Sequence, residues 1–107
     1  MSGNSTVVGG RPLDEVIRRI IADVLVIAPD AVQPGKALVQ DLGAESIDFL
    51  DLVFQLEDAL GFGVPYQRWQ RYVAANYTGK DLAVVLTPEV IEAFAVEVMA
   101  EQALAAP

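Results

Sequence analysis

Apolar residues recur at helical spacing over Leu13, Val16, Ile17, Ile20, Ile21, Val24 and Leu25, while Asp14, Glu15, Arg18, Arg19 and Asp23 fall on the other side. The pattern predicts a helix opening at Pro12 and stopping near Ala28, because Pro29 disfavours helical geometry in the residue before it. A second helix is expected from about Ser46 to Leu60, stopped by Gly61. Placed at about 100° per residue, Phe49, Leu52, Val53, Leu56 and Leu60 form one face, and Ile47, Leu50 and Phe54 form a second. A domain this small buries one face and exposes the lesser one. Tyr66, Trp69, Tyr72, Val73 and Tyr77 suggest a short third helix ended by Thr78-Gly79. The run Leu82 to Leu86 reads equally as a short strand or a helical turn. Thr87-Pro88-Glu89 opens a last helix, with Val90, Ile91, Phe94, Val98 and Met99 as its buried stripe.

Between the first two helices, Pro29 to Glu45 carries Pro34, Gly35 and Gly43 and is anchored by Val32, Leu38, Val39 and Leu42. Connections this long are uncommon in compact domains and are often functional. Residues 1–10 read as a loose N-terminal tail, and 11–104 as one domain. The fold class is all-α: a small four-helix bundle with a long loop between helices 1 and 2 and an extended segment before the last helix.

Composition narrows the chemistry. The 107 residues suit one domain, and 53% of them are hydrophobic, enough for a core. Fifteen acidic residues against seven basic ones give a net charge of -8. That argues against nucleic-acid binding, which needs clustered positive charge. With no cysteine and no histidine, thiolate nucleophiles, Cys/His zinc sites and imidazole-based triads are excluded. No apolar run is long enough to cross a bilayer, and the first ten residues lack a signal-peptide core; a cytoplasmic location is expected.

Ser46 is the chemical candidate. It reads either as an ordinary N-cap or as an acceptor for a group attached at a helix start, where free N–H groups and the positive dipole end favour a phosphate. Gly43 lets the chain turn sharply into the helix. Nothing in the chain activates Ser46 for turnover, so it suits an acceptor better than a catalyst.

The run Asp41-Leu42-Gly43-Ala44-Glu45-Ser46-Ile47-Asp48 resembles the D-L-G-x-D-S-L-D signature of acyl carrier proteins, and the resemblance covers Leu13 to Pro65. Glu45 for Asp and Ile47 for Leu are mild departures; the aromatic, basic stretch from Tyr66 to Leu86 is a larger one. The resemblance implies an acyl-carrier-like bundle with covalent 4′-phosphopantetheine on Ser46, whose thiol holds acyl chains as thioesters. It also implies that the bundle can open to sheath such a chain. The run Phe49-Leu50-Asp51-Leu52-Val53-Phe54, then Gly63-Val64-Pro65 and Trp69, is similar to a specialised bacterial branch serving very-long-chain or lipid A-type acyl groups. A polyketide or aminoacyl/peptidyl carrier, and a carrier-fold interaction module that is never pantetheinylated, stay as alternatives.

Six acids (Asp41, Glu45, Asp48, Asp51, Glu57 and Asp58) lie around Ser46 with no basic residue among them. With Ile47, Leu50 and Phe54 they read as a docking surface: acids steer basic partners and the apolar patch supplies contact energy. The expected partners are a phosphopantetheinyl transferase, an acyl-loading enzyme, and ketosynthase- or acyltransferase-type enzymes with basic docking surfaces, met by a monomer. Arg68, Arg71 and Lys80 are expected to pair with the acidic helix or with a partner. Trp69 and Tyr72 read as core residues or as a lid over a pocket.

Overall fold

The computed structural model describes residues 6–105. Residues 1–5 of the expected tail lie outside that range. Val7–Val8 (β1) and Arg11–Pro12 (β2) pair antiparallel, Val7 opposite Pro12 and Val8 opposite Arg11. The two-residue link is Gly9-Gly10, both at positive φ (60° and 81°), the backbone a primed hairpin turn demands. The loose tail expected through Gly10 is therefore a small hairpin from Thr6 onward, tied to the first helix by the Leu13 N–H donating to the Thr6 carbonyl at 2.9 Å.

Helix α1 runs Leu13–Leu25 and buries Leu13, Ile17, Ile20 and Ile21, as its periodicity predicts. It stops short of the expected Ala28. Val26 adopts a left-handed conformation (φ 56°, ψ 52°), its N–H donating to the Asp23 carbonyl at 3.3 Å and the Ile27 N–H to the Ala22 carbonyl at 3.0 Å. These are the paired bonds of a Schellman ending, with a valine where glycine is usual. The turn brings Ile27 against the core and leaves Val26 88% exposed. A single 3₁₀ turn, Pro29–Ala31, follows.

Helix α2 spans Ser46–Leu60 and ends at Gly61. It buries Phe49, Leu52, Val53 and Leu56, with Leu60 half-buried beside them. Helix α3 is Tyr66–Tyr77, and the ambiguous run after it is helical: α4, a single turn at Leu82–Val85, capped by the Asp81 carboxylate accepting from the Ala83 N–H at 3.1 Å. The lengthened segment expected before the last helix thus holds α3 and this additional single turn. Helix α5, Pro88–Ala105, buries Val90, Ile91, Phe94, Ala95 and Val98.

The long loop is not slack. Val32 and Leu38 are buried, as expected of anchors, while Val39 and Leu42 are half-buried. The Leu38 N–H donates to the Leu86 carbonyl at 2.8 Å and the Gln40 N–H to the Ala83 carbonyl at 3.1 Å, so the loop is bonded to the α4 segment. Trp69 and Tyr72 are core residues. The Trp69 indole stacks on Phe49 (5.9 Å, 8°) and meets Phe94 edge-on (5.2 Å, 74°). Tyr72 lies against Trp69 at 6.2 Å and Phe94 at 5.2 Å.

Candidate functional site

The approach to Ser46 is set by its loop. The Asp41 carboxylate accepts from the Ala37 N–H at 2.8 Å, closing the loop on itself, and the Ala44 N–H donates to the Leu38 carbonyl at 2.8 Å. Asp41 therefore has a local task within the acid-rich stretch. Gly43 has φ 79°, and a Cβ built there would meet nothing within 4 Å. Backbone conformation, not crowding, selects glycine at this position.

The structure bears on the N-cap reading of Ser46. The N-cap is Glu45 (φ -113°, ψ 170°), and its N–H donates to the Asp48 carboxylate at 2.7 Å. This is the reciprocal half of a capping box, in which an acid three residues into the helix reaches back to the cap. Ser46 is the first helical residue, not the cap. Its side chain is exposed and has no hydrogen-bond partner among the described residues. The hydroxyl is consequently available, at the start of a 15-residue helix whose first-turn N–H groups and dipole favour an attached phosphate. The side chain fits the attachment of a phosphoryl group: it is reachable, uncommitted and placed where backbone donors partly offset negative charge.

The minor face of α2 is exposed, as its wheel predicts. Ile47 is 60% and Phe54 57% exposed, and Leu50 is half-buried. Glu45, Asp51 and Asp58 are exposed around them, while Asp48 and Glu57 are partly covered. None of these acids is in an ion pair with a described residue. Of the two expectations for Arg68, Arg71 and Lys80, pairing with this helix is not found among the described residues. Arg68 instead turns to α5, donating from Nε to Glu101 at 3.0 Å and from its terminal nitrogen to Glu97, with the guanidinium 5.9 Å over the Phe94 ring. The two carboxylates hold the Arg68 pKa above its ordinary value, and Arg68 in turn depresses that of Glu101. Position explains the difference: Arg68 precedes the buried Trp69, so its side chain leaves α3 on the α5 side.

Ser46 and Ile47 stand on the rim of a groove of about 710 Å³ between α2, α3 and the α4 segment. Phe49 and Trp69 form its floor; Tyr66, Gln70, Val73, Leu82 and Leu86 line its other side. The sequence pattern did not single out Gln70, Val73, Leu82 or Leu86 as site residues, because they meet Ser46 only through tertiary packing. Inside the bundle, a separate void of about 10 Å³ lies among Phe49, Leu52, Leu56, Trp69 and Phe94. That is room for about one water. Among the described residues there is no cluster of carboxylates suited to holding a metal ion, and no helix is long and apolar enough to cross a membrane.

Comparison with known proteins agrees with this geometry. Residues 15–67 match the family described as phosphopantetheine attachment site. The chain is 33% identical over 60 residues to an acyl carrier protein of Campylobacter hominis, covering 56% of this chain and 76% of that one. It is 39% identical over 57 residues to the acyl carrier protein AcpXL of Mesorhizobium japonicum, covering 53% of this chain and 61% of the relative, and 39% identical over 54 residues to AcpXL of Brucella melitensis. In the AcpXL alignments less than two thirds of the relative is spanned. Taken with the exposed serine at the head of α2, these matches place the chain in the acyl carrier protein family, whose members are carriers with covalently attached 4′-phosphopantetheine and not catalysts.

Proposed function

We propose that Ser46 is the attachment residue and that the protein carries acyl groups to enzymes of lipid biosynthesis in the cytoplasm. The supporting observation is the division of labour at the start of α2: Glu45 and Asp48 cap the helix, which leaves the Ser46 hydroxyl exposed and without a partner. Ser46 Oγ would hold the arm through a phosphodiester, and the arm would supply the thiol that the chain itself lacks. The residues do the rest: α2 presents the serine, and the first turn offers N–H groups to the phosphate. Glu45, Asp51 and Asp58 attract a basic enzyme surface that Ile47, Leu50 and Phe54 then contact.

The cargo is proposed to be of the very-long-chain or lipid A type. Support comes from the Phe49–Phe54 run with Trp69 behind it, and from relatives named AcpXL. The partners in this reading are a phosphopantetheinyl transferase, an acyl-loading enzyme and acyltransferase-type enzymes with basic docking faces.

Co-expression with a broad-specificity transferase and intact-mass measurement tests the attachment. One phosphopantetheinyl group is expected on the wild type and none on Ser46→Ala. An unmodified wild type would point to a carrier-fold interaction module instead. Loading assays with long-chain acyl, polyketide and aminoacyl donors then test the cargo class, and selective charging with an aminoacyl or polyketide group would refute the lipid assignment.

A further inference from the structure

The fold accounts for the backbone at Val26 but not for its side chain. Turning Ile27 toward the core calls for a left-handed residue there, which glycine would supply without strain. The position instead carries a β-branched residue at φ 56°, 88% exposed, so the side chain strains the backbone while packing against little of its own chain. Val26 stands on the edge of a groove of about 700 Å³ where the end of α1 meets α2. Ile27 and Pro29 add apolar lining, and Asp23 and Gln55 add polar lining. That polar part is set for a cation. Asp23 lies in the last turn of α1, at the negative end of the helix dipole, and that turn holds no basic residue. Gln55 Nε2 donates to Asp23 Oδ2 at 2.9 Å, which leaves Asp23 Oδ1 and Gln55 Oε1 as acceptors without partners among the described residues. Arg19, the one cation lining the groove, is tied to Glu15.

We propose that this groove takes an arginine side chain of an enzyme that acts on the carrier, its guanidinium on Asp23 and Gln55 and its stem on Val26. The enzyme's footprint then extends from α2 over the end of α1. This inference rests on the docking role proposed for the exposed face of α2. Two neighbouring acceptors match the planar fork of a guanidinium better than a lysine, and the apolar lining suits its methylene stem. The groove is continuous with the α2 face: Gln55 lies one turn beyond Asp51 and about 14 Å along the helix from Ser46. A partner seated on Ile47, Asp51 and Phe54 reaches it without leaving the surface.

The test reads initial rates of a broad-specificity phosphopantetheinyl transferase as the carrier concentration is varied, at low salt and at 1 M salt, beside thermal denaturation of each variant. Val26→Gly should melt above wild type and yet raise KM roughly fivefold at both salts, the change that loss of one or two methyl contacts brings. Asp23→Asn should raise KM about as much at low salt, through loss of one charge at contact, and the difference should shrink at 1 M. In both variants kcat should hold, because the groove is remote from Ser46. A purely structural role for Val26 would raise the melting temperature and leave KM alone. That result, or a wild-type KM for Asp23→Asn at low salt, would overturn the assignment. Asp51→Asn separates the two levels. If it raises KM while Val26→Gly and Asp23→Asn do not, the groove alone fails; if none of the three does, the docking reading of α2 fails with it.

Discussion

Asp48 and Asp51 look equivalent in the sequence, two acids on the helix that follows Ser46. In the structure they differ. Asp48 accepts the Glu45 N–H at 2.7 Å and is partly covered, whereas Asp51 is exposed and makes no ion pair with a described residue. Three variants separate helix capping from attraction of a partner. Asp51→Asn removes charge alone, and its stability should stay within about 0.5 kcal/mol of wild type. Asp48→Asn keeps an oxygen for the Glu45 N–H but gives up the favourable interaction with the helix dipole, about 0.3–1 kcal/mol. Asp48→Ala loses both, for a total of about 1–2 kcal/mol. In a domain of this size that lowers the melting temperature by roughly 5–15 °C. Phosphopantetheinyl transfer responds to a different quantity. Each variant removes one negative charge near the serine, worth at most about 1 kcal/mol at contact in water, so modification at low salt slows up to about fivefold in all three. At 1 M salt, where screening acts within about 3 Å, the difference from wild type disappears. Urea denaturation and initial modification rates at low and high salt are the measurements. If Asp51→Asn destabilised as much as Asp48→Ala, or if the rate differences ignored salt, the separation of roles would be wrong.

Three further outcomes follow from particular conformations. Val26 is a β-branched residue at φ 56° with an exposed side chain, so Val26→Gly relieves left-handed strain of about 1–2 kcal/mol, partly offset by the greater freedom of glycine in the unfolded chain. Thermal denaturation should show a net gain of about 0.5–1 kcal/mol, and a loss would contradict the assigned backbone. Gly43→Ala places a Cβ in open space but at φ 79°, so it destabilises by about 1 kcal/mol and Gly43→Asn by less; equal penalties would indicate that crowding governs the position. Glu101 has its pKa lowered by its hydrogen bond to Arg68, so the linked stability is present above its ordinary value of 4.5 and is lost as pH falls through the lower folded value. An Arg68→Gln variant should therefore show a shallower loss of stability below that pH than wild type, and an unchanged acid limb would argue against the pairing.

The elements legible in the sequence were those whose signal is local. The α1 stripe, the two faces of α2, Gly61 after its last turn and Pro88 at the head of α5 all follow from spacing and cap chemistry. The Gly9-Gly10 hairpin was legible too, since paired glycines after two valines are a hairpin signal, but the small polar surroundings suggested a tail. The end of α1 was not, because a valine in the left-handed region is set by the need to aim Ile27 at the core. The capping of α2 by Glu45 was hidden behind a serine that is itself a favoured cap. The pairing of Arg68 with α5 was not legible, because charge counting along the chain carries no information about which side of α3 a residue leaves from.

The two hydrogen bonds from Leu38 and Gln40 to the α4 segment bear on transplantation. A swap of carrier identity that exchanges residues 46–60 alone would move the serine and its exposed face but leave behind the strap that orients them and the wall that faces them. The heritable module is discontinuous, 37–60 together with 82–86, and the two pieces must change together. Substitutions in the later segment, remote in sequence from the serine, thus change the wall beside Ser46 without touching α2 itself.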